Sequence, residues 1–162
     1  MPKQSGGILL YRRHSAKTEV FLVHPGGPYW ANKDIAGWSI PKGELAEGEE
    51  PLAAAEREFK EETGNQLTGP LLPLGAIKQS GGKVVHAWAR EGDCDPTTIV
   101  SSTFEIEWPP HSGKRVSFPE VDRAAWFSLD EAEVKLHKGQ VEFLSRLEQQ
   151  LRPATERTTQ EG

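Results

Sequence analysis

At 162 residues with hydrophobic residues at 36%, the chain has room for one domain with a modest core. Its net charge of -5 does not suggest nonspecific binding to nucleic acid or to an anionic membrane. The single cysteine, Cys94, excludes an intrachain disulfide and a cysteine-rich zinc site, and no apolar run approaches the roughly 20 residues that span a bilayer. The opening MPKQSGG lacks the apolar stretch of a signal peptide, so a cytoplasmic, reducing location is the expectation.

SGGILLYRR at 5–13 and EVFLVH at 19–24 read as strands joined by the polar turn HSAKT. A loop rich in Gly, Pro and aromatics, PGGPYWANKDIAG, leads into the short segment WSIPKG. A helix is predicted over 51–63, with Pro51 in its first turn and Gly64 as its stop. Further strands are expected at 72–79, 83–90, 103–108 and 124–128, the first two joined by a turn at Gly81-Gly82. Residues 131–136 and 140–151 read as helices, the latter carrying an apolar stripe of Val141, Leu144, Leu147 and Leu151. A single domain at 1–151 is expected, followed by a polar, disordered tail at 152–162 after the helix-stopping Pro153. This mixed order of strands and helices defines an α+β class.

Inside the 51–63 helix, Glu58, Glu61 and Glu62 stand at i, i+3 and i+4, within roughly a 100° arc. Three like charges on one face weaken an isolated helix. A bound divalent cation would reverse that penalty, and oxygen ligands suit Mg²⁺ or Mn²⁺. Taken alone, such a face reads more readily as a solvated acidic surface than as a metal site.

The stretch GELAEGEEPLAAAEREFKEETGN at 43–65 resembles the Nudix box, G-x5-E-x7-R-E-U-x-E-E-x-G-U, where U is bulky and apolar. Gly43, Glu49, Arg57, Glu58, Phe59, Glu61, Glu62 and Gly64 fill the defined positions in turn; only Asn65 departs, at the last U. GGILLYRR and AAWFSLDEA resemble the family's first and last strands. HPGGPYW resembles a bacterial subgroup described as predicted nucleoside-triphosphate pyrophosphohydrolases. The resemblance implies an α/β/α sandwich on a mixed sheet. The activity it implies is metal-dependent hydrolysis of a phosphoanhydride in a nucleoside diphosphate linked to another group.

Carried over, Glu58, Glu61 and Glu62 are metal ligands and Gly43 offers a backbone carbonyl. Arg57 would orient a glutamate, and Glu49 would cap free N–H groups or reach Arg57. Glu120 is the preferred general base among Glu105, Glu107, Glu120 and Asp122; Glu105 and Glu107 alternate with Phe104 and Ile106 as the polar face of a strand.

Other residues have a chemical reading and a plain one. Lys42 could contact a phosphate or simply be solvated. Lys114 and Arg115 form a second phosphate candidate or a basic hairpin tip. Tyr29, Trp30 and Trp108 could stack a base, whereas Trp38 and Trp126 are expected in the core. His24, His86, His111 and His137 show no metal spacing. Cys94 reads as a free thiol in a loop.

Nucleoside triphosphates and dinucleoside polyphosphates are the expected small-molecule substrates. The SQPWPFPxS array of NADH pyrophosphatases is absent. So are the proline and the tyrosine, near Ser80, of members cleaving ADP-ribose or diadenosine polyphosphates. A 5′-triphosphate RNA end is a further option, against which the acidic net charge weighs. A nucleotide-sensing or protein-binding module without turnover is the alternative class; such modules usually lose box carboxylates, and all three stand here. The isomerase branch, which needs a cysteine acting across an alkene, is disfavoured by the polar setting of Cys94. Nothing in the sequence fixes an oligomeric state.

Overall fold

Two apolar runs, ILLY at 8–11 and VFLV at 20–23, decide the architecture. Neither alternates with polar residues, as expected of strands covered on both faces. In the computed structural model, which describes residues 3–79 and 81–152, they form the centre of a six-stranded sheet. The strands are β1 (Gln4–His14), β2 (Lys17–Pro25), β3 (Lys42–Glu44), β4 (Leu71–Lys78), β5 (Val84–Glu91) and β8 (Val121–Ser128). Their order is β4-β5-β1-β2-β8, with β3 pairing β1. Only β1 and β5 run parallel, so the sheet is mixed. β6 (Thr103–Glu107) and β7 (Arg115–Pro119) form a separate hairpin.

Successive side chains on β1 and β2 go to opposite faces. Ile8, Leu10, Phe21 and Val23 pack with Ala55 and Phe59 of α1 (Pro51–Thr63). Leu9, Tyr11, Val20 and Leu22 pack with Ala132 and Leu136, and with Phe143, Leu144 and Leu147 of α3 (Glu142–Leu151). Ala132 lies on α2 (Leu129–Lys135), which Ser128 and Glu131 start with a capping box. The result is the expected α/β/α sandwich.

The expected elements are present with ends shifted by a few residues. β8 starts earlier, at Val121, and a 3₁₀ turn at Lys138–Gln140 precedes α3, which begins at Glu142. Two strands were not anticipated. β3 is three residues long and includes a glycine, so it carries no pattern of its own. β7, RVSFP, does alternate and pairs Val116 and Phe118 with Ile106 and Phe104; its length and terminal proline hid it. Residues 153–162 of the expected tail, and Ser80, lie outside the described residues. Among the described residues, no helix is long and apolar enough to cross a membrane.

α1 sits unusually close to the sheet. A Cβ on Gly6 of β1 would lie 2.2 Å from the Pro51 carbonyl oxygen and 2.9 Å from the Ala55 nitrogen. On the same side of the sheet, buried Arg90 of β5 makes a two-pronged ion pair with Glu56 of α1, at 2.6 and 3.0 Å. Gly6→Ala is therefore expected to force α1 outward. Overpacking of this kind costs about 1–3 kcal/mol, a fall in Tm of roughly 2–10 °C for a chain of this size. Thermal denaturation checks this; an unchanged Tm would mean that the contact relaxes freely.

Candidate active site

The close docking of α1 and the pairing of β3 with β1 together build the site. Gly6 pairs with Gly43 and Gly7 with Lys42, so β3 lies over the carboxylate face of α1. Gly43 leaves room for the Glu58 carboxylate: a Cβ there would stand 2.0 Å from Glu58 Cδ and push that side chain aside. One turn further along α1, Glu62 Oε2 accepts a 2.8 Å hydrogen bond from the Lys42 backbone N–H. The helix ends at Gly64, in the left-handed region at φ 77°, whose N–H donates to the Lys60 carbonyl.

Arg57 holds the acidic residues in place. Its Nε and Nη2 donate to both oxygens of Glu49 at 2.9 Å, a bidentate pair, and Nη2 also reaches the Glu44 carbonyl at 3.1 Å. Nη1 donates to Glu58 Oε1 at 2.8 Å and to Glu61 Oε2 at 3.2 Å. Of the two roles foreseen for Glu49, the contact with Arg57 is made; the N–H it caps is that of Ala46, in the preceding loop.

Glu120 arrives from the junction of β7 and β8. The 99–102 segment runs along the end of α1, with Val100 N–H donating to the Thr63 carbonyl and Ser102 N–H to the Glu61 carbonyl. Glu120 N–H donates in turn to the Ser102 carbonyl, and the Glu120 carbonyl accepts from Gly26. Oxygens of Glu58, Glu61 and Glu120 consequently lie within 4.8 Å of one another. Glu62, expected to stand with Glu58 and Glu61, instead faces Lys42 and, with Glu120, lines the adjoining cleft. The donor set, all carboxylate oxygen, suits a hard divalent cation.

The electrostatics agree with that donor set. Burial pushes Glu58 up from the ordinary carboxylate value, with Arg57 opposing. Glu62 is pushed well up by burial and by the Glu58 charge, and Glu120 up by burial and the Glu61 charge. Glu49 goes the other way, held at about 2 by its hydrogen bonds from Arg57 and Ala46.

The cleft has a volume of about 270 Å³. Of the aromatics considered for base stacking, Trp30 lines it, with the Lys33 ammonium 5.5 Å from its ring. Tyr29 and Trp108 pack edge to face at 5.4 Å outside the lining set. Lys114 and Arg115 are exposed on the β6–β7 hairpin, where Arg115 lies 3.8 Å from Glu105; they do not line the cleft either. Trp38 is buried as expected but shows part of itself to the cleft. Trp126 is half-buried, packed against Phe21 and stacked by the Arg12 guanidinium at 4.1 Å.

Several contributors escaped the sequence reading. Lys83, His137 and Gln79 line the cleft. Buried Gln140 shapes its floor by accepting from Ile40 N–H and donating to Ser39 Oγ. His24 is fully buried, its Nδ1 2.9 Å from Asp122 and its Nε2 2.7 Å from the Lys33 carbonyl. It thereby ties the loop bearing Trp30 to the strand that follows Glu120. Cys94 is a free thiol but a buried one, raised by burial and by Asp93 and Asp95; it accepts a hydrogen bond from the unusual Asn65.

The fold and site together are a mixed sheet between helices, with a carboxylate cluster on one helix closed by a later loop glutamate. Residues 1–147 match the model of the NUDIX domain, and the chain belongs to the Nudix family. It is a pyrophosphohydrolase. No curated protein matches. Among solved structures, an Ap4A hydrolase from C. elegans in a binary complex is 22% identical, with 92% of this chain and 97% of that chain covered at a TM-score of 0.63. The NUDIX domain of Shewanella oneidensis NrtR, complexed with ADP ribose, is 15% identical with 94% and 90% covered at 0.64. A NUDIX hydrolase from Nitrosomonas europaea is 22% identical with 96% and 95% covered at 0.61. These likenesses describe the fold.

The opposite shifts give a two-sided pH dependence of stability. Glu49, lowered to about 2, contributes stability that is present above the ordinary value of 4.5 and lost as pH falls through 2. Glu58, Glu62 and Glu120, raised in the fold, bind protons more tightly than the unfolded chain, so their contribution is favourable at low pH and fades as pH rises above 4.5. Melting curves against pH with a chelator present are expected to show both arms. Glu49→Gln should flatten the acid arm and Glu62→Gln the other; parallel curves for all three proteins would contradict this account.

Proposed function

We propose that the chain hydrolyses a phosphoanhydride bond in a nucleoside diphosphate linked to another group, with nucleoside triphosphates and dinucleoside polyphosphates as the substrate candidates. The reading rests above all on the convergence of Glu58, Glu61 and Glu120 beside a cleft. Similarity to an Ap4A hydrolase and to a domain complexed with ADP ribose supports a nucleotide ligand. Residues 1–151 act as the single catalytic domain in this reading. The free thiol of Cys94 fits a reducing location, the cytoplasm.

Glu58 and Glu61, with the Gly43 carbonyl and the Glu62 oxygen that does not accept from the Lys42 N–H, would hold Mg²⁺ or Mn²⁺. The chemistry supplied by such a cation is neutralisation of phosphate charge and acidification of a bound water. Arg57 keeps Glu58 and Glu61 aimed while Glu49 occupies the rest of its guanidinium. Glu120 takes the proton of the attacking water as the new O–P bond forms and the P–O–P bridge breaks. Burial and the Glu61 charge raise its proton affinity, which favours taking up that proton. Lys42 contacts a phosphate oxygen, and Trp30 supplies a face for the base.

The test is product release from a panel of nucleoside triphosphates, diadenosine polyphosphates, ADP-ribose and NADH with Mg²⁺ or Mn²⁺, resolved by chromatography. Turnover of one class is expected, with kcat reduced by about 10²–10⁴ in Glu120→Gln and little activity left in Glu58→Gln. Undiminished kcat in Glu120→Gln would remove its role as base. Absence of turnover across the panel would overturn the hydrolase reading.

A further inference from the structure

The same cleft carries a second set of groups, opposite in character to the carboxylates. Lys42, Lys83 and His137 all line it, and none makes an ion pair among the described residues. Elsewhere the pattern differs: Arg12, Arg57, Arg90, Arg115, Lys135 and Arg146 each face a carboxylate. Lys42 stands near enough to each of the other two for charge to be felt. Burial lowers the proton affinity of Lys42, with the Lys83 charge adding to it and Glu62 opposing; burial and then the Lys42 charge lower that of His137.

His137 is fixed as a donor. Its Nδ1 accepts the Gly139 N–H at 3.1 Å, which puts the ring proton on Nε2. Its backbone N–H is held by the Trp38 carbonyl at 2.8 Å, so the ring does not drift from the cleft wall. Lys83 is positioned by the β4–β5 turn, where its carbonyl accepts from Gln79 N–H at 2.7 Å. Gln79 meets the 138–140 turn closely: a Cβ on Gly139 would lie 3.1 Å from Gln79 Cγ. Packing of one turn on the other therefore brings the segments that carry Lys83 and His137 to the same cleft. Two ammonium groups and an imidazole N–H, with no acceptor among them, form a place for an anion.

We infer that Lys83 and His137, beside Lys42, form a subsite for a phosphate lying beyond the pyrophosphate that is cleaved. The preferred substrates are thus nucleotides with three or more phosphates in a row, rather than two-phosphate compounds such as ADP-ribose or NADH. For its substrate this rests on the hydrolase reading; for binding alone it does not.

The experiment has two arms. In the first, calorimetry without divalent cation measures inorganic tripolyphosphate and pyrophosphate on the wild-type protein, Lys83→Ala, His137→Ala and the double variant. Tripolyphosphate is expected to bind more tightly than pyrophosphate, to weaken with added salt, and to lose roughly tenfold in affinity in the double variant. Equal binding to wild-type and double variant would overturn the inference. In the second, kcat/KM is compared for a nucleoside triphosphate, a dinucleoside tetraphosphate and ADP-ribose. The ratio of either long substrate to ADP-ribose is expected to fall about tenfold in the double variant, through KM. A uniform loss through kcat would overturn it. If no nucleotide is hydrolysed but tripolyphosphate binding depends on Lys83 and His137, the hydrolase reading falls and the anion subsite stands. Both residues are exposed, so the variants test the site rather than the fold.

Discussion

The site depends on a single guanidinium set among carboxylates. Arg57 touches Glu49, Glu58 and Glu61 and the Glu44 carbonyl, and no other cation reaches the Glu58, Glu61 and Glu120 cluster at ion-pair distance among the described residues. One positive charge cannot balance so many negative ones. It is divided unevenly: Glu49 receives two bonds and is held at about 2, whereas Glu58 receives one and is still pushed up by burial. Arg57 thus leaves the cluster organised but electrostatically unsatisfied. That is the condition in which a divalent cation binds with the greatest gain.

Such crowding persists only if the backbone around it cannot retreat. Two missing side chains enforce this. Gly6 lets α1 settle against β1, and Gly43 leaves room for the Glu58 carboxylate under β3. Because Gly6 and Gly43 are paired across the strands, the two close approaches share one point of the sheet. The burial that raises the carboxylates follows from this packing, together with the 99–102 segment that runs along the end of α1. Stability and chemistry therefore pull against each other here, as they do at many functional sites.

The sequence made the helical half of the site readable and left the rest obscure, for physical reasons. Glu58, Glu61 and Glu62 are neighbours because a helix has 3.6 residues per turn, so their spacing alone puts them on one face. Phe59, Pro51 and Gly64 mark the inward face and the ends of α1 equally locally. Even so, helical spacing did not separate Glu62, which turns to the Lys42 N–H, from Glu58 and Glu61. Glu120 was found through family resemblance, since what delivers it is backbone pairing between the 99–102 segment and α1. β3 exists only through pairing with β1 and has no periodicity to read. His24, with two acceptors around a fully buried ring, looked like a scattered histidine because Asp122 and Lys33 come from separate elements. Lys83 and His137 were invisible for the same reason: a turn and a 3₁₀ segment meet over a glycine.

Composition misleads most on charge. A net charge of -5 argues against a polyanionic ligand when the chain is treated as a uniformly charged sphere. The fold divides that charge. Carboxylates gather where α1, β3 and Glu120 meet, and the Lys83 ammonium and the His137 imidazole N–H gather where the β4–β5 turn meets the 138–140 turn. Glu62 and Lys42 stand between them, joined through the Lys42 N–H. A divalent cation held by the carboxylates would offset part of their charge and present a local positive centre to a phosphate. A linear polyphosphate would then meet compensating charge along its length, although the protein as a whole is acidic. Low-dielectric walls such as Trp30, Trp38 and Val23 confine that field to the cleft, so the local arrangement rather than the sum governs what binds.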